Sequence, residues 1–366
     1  MAGFSPTIGR IAGIEIELHW SFLLLLLFVL ILSLYTFVLF VILFICVLLH
    51  ELSHSITSQH YKIKVKKIVL LPIGGISVMD LDTVKPNQEF NIALAGPIAS
   101  FVIGAAFLLL IPFSPLGMIR QTVVFTAEIN LLLGVFNIMP GFPLDGGRVF
   151  RAYLERKRQY LEATKITVKV SNIVLALFVI GTIIFAIYAT GYSLVSREFL
   201  VFYDIFIVMF LYSGSQAELQ SAYVKTYASD LRVKDALSRN FLLVDKNSRL
   251  PAIYKKMLKS RTSILLFRDG PAVKIVRLPQ KLPFMHDAKT KELMSRPISQ
   301  FGTKIAVIKY REKLVKALEN MQQENSSIAA VTDGKRIIGV ILSQHADSII
   351  ALHISRKKGA NNAMRG

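Results

Sequence analysis

The chain has 366 residues, 53% of them hydrophobic and 18% charged, which leaves room for two or three domains and points to a membrane protein. One cysteine, Cys46, excludes an internal disulfide framework. The net charge of +19 is uneven: residues 1–220 carry 15 Lys/Arg against 13 Asp/Glu, residues 221–366 carry 28 against 11, so a basic C-terminal part is expected to sit solvated against an anionic lipid surface, with no aromatic-basic motif to suggest nucleic acid.

Met1–Ile14 holds one basic residue, and no A-x-A-like site closes the apolar run after it, so no cleaved signal peptide is expected. Leu18–Leu49 is continuously apolar. A span takes about 20 residues, so two are expected, near 14–33 and 37–58, with a tight turn at Ser33–Thr36. One long tilted helix is the alternative. His60–Lys67 alternates lysine with β-branched residues, the pattern of a strand on a wet edge. Ile68–Val78 reads IVLLPIGGISV, a hairpin signal centred on Gly74-Gly75. A hairpin at membrane depth is buried in protein or lines a cavity. It serves either as a structural re-entrant loop or as an edge that binds an extended peptide by strand addition. Further spans are expected near Asn91–Ile111, with Ala95-Gly96-Pro97 inside, near Ile119–Met139, near Ile166–Thr190 and near Phe199–Ser215. Lysines 62, 64, 66 and 67 follow the second span, and Arg148, Arg151, Arg156, Lys157 and Arg158 follow the fourth. The positive-inside rule then places both termini and the basic tail in the cytoplasm.

His50-Glu51-Leu52-Ser53-His54 reads H-E-x-x-H. On a helix the two histidines lie one turn apart on one face and can hold a divalent cation, usually zinc, while Glu51 is placed to take a proton from a water. Ionisable groups inside an apolar span are costly, so function is their default reading. Asn137–Arg148 reads NIMPGFPLDGGR; Pro140 and Pro143 break the fourth helix, and Gly146-Gly147 permit tight turns, so Asp145 is expected on irregular backbone. A catalytic zinc takes three protein ligands and keeps one position open. His50, His54 and Asp145 make such a set, one Zn2+ per chain.

HELSH followed by NIMPGFPLDGG resembles the site-2 protease family of intramembrane zinc metalloproteases. The resemblance extends over Gly13–Ala152, including ELHW at Glu17–Trp20, LLPIGG at Leu70–Gly75 and Ala95-Gly96-Pro97. It is to the archaeal and bacterial branch with six spans and a cytoplasmic tail. It implies His50, His54 and Asp145 as zinc ligands, Glu51 as general base, and Asn137 as a residue that helps hold substrate or the oxyanion. The substrate is then a transmembrane segment of another protein in the bilayer. Because helical carbonyls are engaged in hydrogen bonds, that segment must unwind before cleavage, with capture on the Gly74–Gly75 hairpin edge assisting. Cys46, one turn before His50, is expected as packing; His19 is expected to make a structural bond, and His60 to lie at the interface.

After Asp230 the texture becomes mixed α and β. Leu250–Leu258 is helix-like, followed by strand Ser263–Phe267, the turn Asp269-Gly270 and strand Ala272–Val276; Lys313–Gln322, Ile328–Val331, Asp333-Gly334 and Ile337–Leu342 repeat the series 64 residues later. The repeat resembles a pair of cystathionine-β-synthase-type (CBS) domains, most clearly in VTDGKRIIGVILS at Val331–Ser343. That implies an adenosine-nucleotide site or a homodimer contact. The motif departs from the family pattern: the acidic residue expected three places after Ser343 is Ala346, with Asp347 one place late, and Arg277–Gln280 offers no equivalent.

The expected architecture is therefore a polytopic α-helical membrane domain with about six transmembrane helices and a small β element (1–220), then a cytoplasmic α/β tandem of repeats at 221–287 and 288–355, then a disordered tail (356–366). The alternatives are a CBS-gated membrane metal transporter or channel, which has no need of Glu51 between two metal histidines, and a proteolytically inactive scaffold.

Overall fold

The computed structural model describes residues 5–72, 74–79, 84–188, 194–260, 262, 264–270, 272–276, 297–334 and 336–363. The chain divides into two compact units between Ala222 and Tyr223.

The first unit opens with a hairpin of β1 (Thr7–Ile11) and β2 (Ile14–Leu18), turning at Ala12 and Gly13, both at positive φ. The first expected span is thereby corrected. Residues 14–18 alternate Ile-Glu-Ile-Glu-Leu, a strand period, with Ile14 and Ile16 buried. α1 (Trp20–Leu32) has only 13 residues, shorter than the about 20 a span requires. α2 (Leu34–His60) follows after one residue. Ser33 is both the C-cap of α1 and the N-cap of α2; its backbone is extended, and its Oγ accepts from the Thr36 N–H at 3.3 Å. A capping serine thus breaks the apolar run without Gly or Pro.

β3 (Val65–Leu71) and β4 (Gly74–Met79) form the expected hairpin. The sheet order is β1-β2-β3-β4, with β2 and β3 parallel. β3 is therefore an internal strand, which corrects the wet-edge expectation. Its Lys67 is tolerated because Nζ donates to both oxygens of Glu17 on β2, at 2.9 and 3.0 Å. Ile14, Ile68 and Leu70 of the sheet pack with Phe22 of α1 and Phe44 and Leu52 of α2 in one apolar cluster.

α3 (Pro86–Leu110), α4 (Met118–Ile138), α5 (Asp145–Glu155), α6 (Tyr160–Tyr188) and α7 (Leu194–Tyr227) complete the unit, the last turn of α7 belonging to the second. Among the described residues four helical segments are long and apolar enough to cross a membrane: Leu34–His60, Pro86–Phe113, Met118–Ile138 and Tyr160–Phe185. Exposed Phe28, Val102, Leu109, Leu132 and Leu177 give these helices and α1 the apolar outer surface that lipid requires. The chain is a multi-pass membrane protein. The sixth expected span falls within α7.

The second unit contains two β-α-β-β repeats. β5 (Leu242–Leu243), α8 (Leu250–Ser260), β6 (Leu265–Asp269) and β7 (Ala272–Val276) form the first, with β5 parallel and β7 antiparallel to β6. β8 (Thr303–Lys304) extends this sheet beside β7. β9 (Ala306–Lys309), α9 (Leu314–Gln323), β10 (Ile328–Asp333) and β11 (Arg336–Leu342) repeat the arrangement. Gly270 and Gly334 take positive φ at the two hairpin turns, conformations that glycine adopts without a Cβ penalty. Arg277–Gln280, Thr290–Arg296 and the boundary at 287/288 lie outside the described residues.

α10 (Ser343–Ala363) replaces the expected disordered tail through residue 363. Ile350 and Ile354 are buried in the core, while Asp230 receives Lys357 Nζ at 3.0 Å and lies 3.5 Å from His353 Nε2. These contacts hold a segment whose composition alone suggests an open end.

Candidate metal centre

α2 directs two rows of side chains in different directions. His50 and His54, four residues apart, face α3. Glu51, Ser55 and Ser58, at spacings of four and three, face β4. This is the side-chain geometry of a helix with 3.6 residues per turn.

On α3, Ile92, Gly96 and Ser100 form the facing row. The Nδ1–H of His54 donates to the Ile92 carbonyl at 2.7 Å. That bond fixes the tautomer and leaves a lone pair on Nε2. His50 Nδ1 lies 2.9 Å from Ser100 Oγ, which holds its ring in the same sense. The two Nε2 atoms are 3.2 Å apart. A Cβ added to Gly96 would lie within 2.6 Å of both; the missing side chain keeps this spot open.

Asp145 completes the cluster. It is the first residue of α5 rather than part of an irregular segment; the irregular stretch is the loop before it. Its Oδ2 lies 3.0 Å from each Nε2. Glycines allow this approach: a Cβ at Gly146 would overlap the carbonyls of Ile138 and Met139, and one at Gly147 would lie 2.6 Å from Gly141 C and Phe142 N. The loop is fixed from α6 and α7. The Phe142 N–H donates to Ser171 Oγ at 2.8 Å, and Gly214 gives room to Pro143.

His50, His54 and Asp145 each offer one ligand atom, all within 4.8 Å of one another. Two imidazole nitrogens and one carboxylate oxygen converging on a glycine-made space fit zinc with one position left for water. The histidine side chains are 4% and 8% exposed and that of Asp145 is 18% exposed, so the cluster opens on the aspartate side.

Glu51 lies beside this cluster, between the histidines and β4. Its Oε2 accepts from Ser77 Oγ at 2.8 Å, and a Cβ at Gly75 would lie 2.6 Å from its Cγ. Asn137 is not drawn into the cluster; its Nδ2 donates to the Leu133 carbonyl at 3.0 Å, one turn back along α4. Cys46 is buried with Asn130 Nδ2 3.0 Å from its Sγ, and stands outside the metal-ligand group among the described residues. His19 caps α1, with Nδ1 2.6 Å from Ser21 Oγ. His60 ends α2 and packs edge-on against Tyr61.

Behind Asp145, the Arg151 guanidinium is buried between Glu89 of α3 and Glu218 of α7, with the rings of Phe142 and Tyr160 at 5.1 and 4.9 Å. The roles of Gly96, Ser100, Ser77 and Arg151 depend on which helix or strand lies opposite. Sequence spacing carries no signal for that.

Residues 38–181 match the profile described as Peptidase family M50. The zinc metalloprotease MJ0392 of Methanocaldococcus jannaschii is 33% identical over 264 residues, which are 70% of this chain and 73% of that protein. The chain belongs to Peptidase family M50. As an M50 zinc metalloprotease it is a metalloendopeptidase embedded in the membrane. Among solved structures, the site-2 protease from Methanocaldococcus jannaschii is 36% identical, with a TM-score of 0.43, covering 59% of this chain and 95% of that chain. The CBS domain of a bacterial CNNM/CorC family Mg2+ transporter, solved with ATP, is 11% identical, with a TM-score of 0.30, covering 37% of this chain and 97% of that chain.

Ser100 gives this candidate centre a direct test. Ser100→Ala removes the partner of His50 Nδ1, and partners of this kind are worth about 10- to 100-fold in metal affinity. Zinc competition against a chelator is expected to show a loss in that range. Unchanged affinity would mean that the helix alone fixes the His50 ring.

Proposed function

We propose that His50, His54 and Asp145 hold the zinc, and that Glu51 is the general base for hydrolysis of a peptide bond in a transmembrane segment of another protein. The observation that carries this reading is the convergence of those three ligand atoms beside Glu51 under the β4 strand. Zinc, when bound, supplies a Lewis acid that polarises the scissile carbonyl and acidifies a water. The Glu51 carboxylate takes that water's proton and carries it to the leaving amide nitrogen. Asn137, at the end of α4, is the proposed donor to substrate or oxyanion, on the family resemblance.

The substrate enters as a strand on β4, at Gly74 and Gly75. Among the described residues β4 is an edge strand, and Gly75 passes directly over Glu51. A peptide added there lies across the base. Helical carbonyls are already hydrogen-bonded, so cleavage requires local unwinding, and Gly or Pro placed in a cleaved segment is expected to speed it.

Glu51→Gln tests the core of this reading. Loss of a general base typically costs about 100- to 10,000-fold in rate, with all three proposed ligands intact. Purified protein in detergent is expected to lose cleavage of a single-span substrate by that factor while keeping its zinc. Undiminished cleavage would remove Glu51 from the mechanism, and absence of zinc from the parent protein would remove the centre itself. A transporter would be indifferent to this substitution.

The lysine and arginine distribution supports cytoplasmic termini and a cytoplasmic tail. The repeated β-α-β-β pattern with its twin Asp-Gly turns supports a CBS-type pair that modulates the protease or pairs two copies. Against nucleotide binding, Ala346 is fully buried where an acidic residue is expected, and Asp347 is exposed. Titration of the full-length protein with ATP and AMP decides between a nucleotide sensor and a docking role.

A further inference from the structure

The hydroxyls of α2 behave differently from one another. Ser53, Thr57 and Ser58 each donate back to the carbonyl four residues earlier, at 2.8, 2.8 and 2.9 Å. This is the usual local bond of serine and threonine inside a helix. Ser55 instead donates across to Ser77 Oγ of β4, at 3.3 Å, although it is completely buried. A hydroxyl has one proton to give. With Ser55 donating to it, Ser77 directs its own proton to Glu51 Oε2 at 2.8 Å. The result is a one-way chain, Ser55 to Ser77 to Glu51.

Its surroundings leave it little freedom. Gly75, Ser77 and Met79 share one face of β4 and meet Glu51, Ser55 and Ser58 in that order along α2. A Cβ at Gly75 would press on Glu51, and Ser58 Oγ lies 3.5 Å from Met79 Sδ. Only Oε2 of Glu51 takes a protein hydrogen bond among the described residues.

We infer that Ser77, oriented by Ser55, is a positioning residue that aims the Glu51 carboxylate at the metal centre. The inference rests on the reading of Glu51 as general base. It adds that the aim is set from the strand proposed to receive the substrate.

The test uses full-length protein in detergent and a single-span substrate. Ser77→Ala is expected to lower kcat about 10- to 100-fold, the usual cost of removing an orienting partner, with KM within about twofold and zinc content equal to the parent. Ser77→Thr keeps the hydroxyl and is expected to recover most of the rate. In the Glu51→Gln background, Ser77→Ala is expected to cost nothing more, because the group it orients is gone. A rise in KM at constant kcat, an equal further loss in the Glu51→Gln background, or no rescue by threonine would each overturn the inference. If Glu51→Gln alone left cleavage intact, the base reading would fail first. If Glu51→Gln abolished cleavage and Ser77→Ala matched the parent, only the positioning role would fall.

Discussion

Gly96→Ala is expected to empty the proposed zinc centre while leaving the protein folded. The added methyl carbon falls within 2.6 Å of the Nε2 atoms of His50 and His54. It therefore occupies the space where a shared cation would be held, and both histidines lose access together. Neither ring can turn away freely, since His54 Nδ1 is bonded to the Ile92 carbonyl and His50 Nδ1 sits beside Ser100. Removing only an outer partner of a metal ligand costs about 10- to 100-fold in affinity. Blocking two ligands directly is expected to exceed that, at roughly 1,000-fold or more. Gly104→Ala, two turns along the same helix, is the control. Its Cβ would meet the Leu131 side chain at 2.9 Å and the Leu131 backbone nitrogen at 3.2 Å, so it crowds α3 against α4 without touching the histidines. Elemental analysis of the two purified variants is expected to find zinc in Gly104→Ala and none in Gly96→Ala, at similar helical content. Stoichiometric zinc in Gly96→Ala would show that α3 withdraws to make room, and that the glycine is not what shapes the centre.

Arg151→Ala is expected to produce the largest loss of stability. Arg151 is 5% exposed and joins α5 to Glu89 of α3 and Glu218 of α7. Phe142 and Tyr160 cover the guanidinium, which suits a flat, weakly hydrated cation better than an ammonium. Truncation leaves two carboxylates facing one another in a partly buried space. Breaking a buried ion network in this way typically costs about 3–5 kcal/mol. Lysine is expected to restore little, because it lacks the fork that reaches both partners. Replacing the cation and both carboxylates together by apolar or neutral groups of similar size is expected to recover most of the loss. Thermal unfolding in detergent reads the stability. Zinc competition reads the second effect, since the disturbed helix begins with Asp145. An Arg151→Ala protein as stable as the parent would mean that Arg148, which also reaches Glu218 at 3.3 Å, takes over the pairing.

The three candidate ligands that the structure brings together are legible in the sequence because each carries a local mark. His50 and His54 carry helical spacing, and Asp145 sits between helix breakers and a glycine pair. The surroundings were not legible in the same way. Ile14–Leu18 has a clean strand alternation, but it runs into an apolar stretch long enough to absorb it into a span. Ser33 ends one helix and starts another by capping, a weaker mark than Gly or Pro. The lysines of β3 suggested a wet edge, whereas Glu17 on the neighbouring strand makes Lys67 acceptable inside the sheet. Ala95-Gly96-Pro97 carries part of the family resemblance, but the contact of Gly96 and Ser100 with the two histidines depends on α3 lying opposite α2. In the tail, the Asp-Gly turns and the 64-residue offset mark the repeat, while α10 is held by contacts far along the chain, Ile350 and Ile354 in the core and Lys357 on Asp230.

Among the described residues β4 is paired on one side only. The sheet is thus one strand short of closing its row of backbone hydrogen bonds. In a medium without water that deficit is satisfied by any chain able to offer free N–H and C=O groups. A stable helix has none to spare along its length, whatever its side chains. A segment that frays has several. If β4 receives the substrate as proposed, such an edge would sort transmembrane segments by how readily their backbone comes loose, with little regard to residue identity. On that proposal, proteins whose helices hold firm would share the bilayer with this enzyme and remain whole.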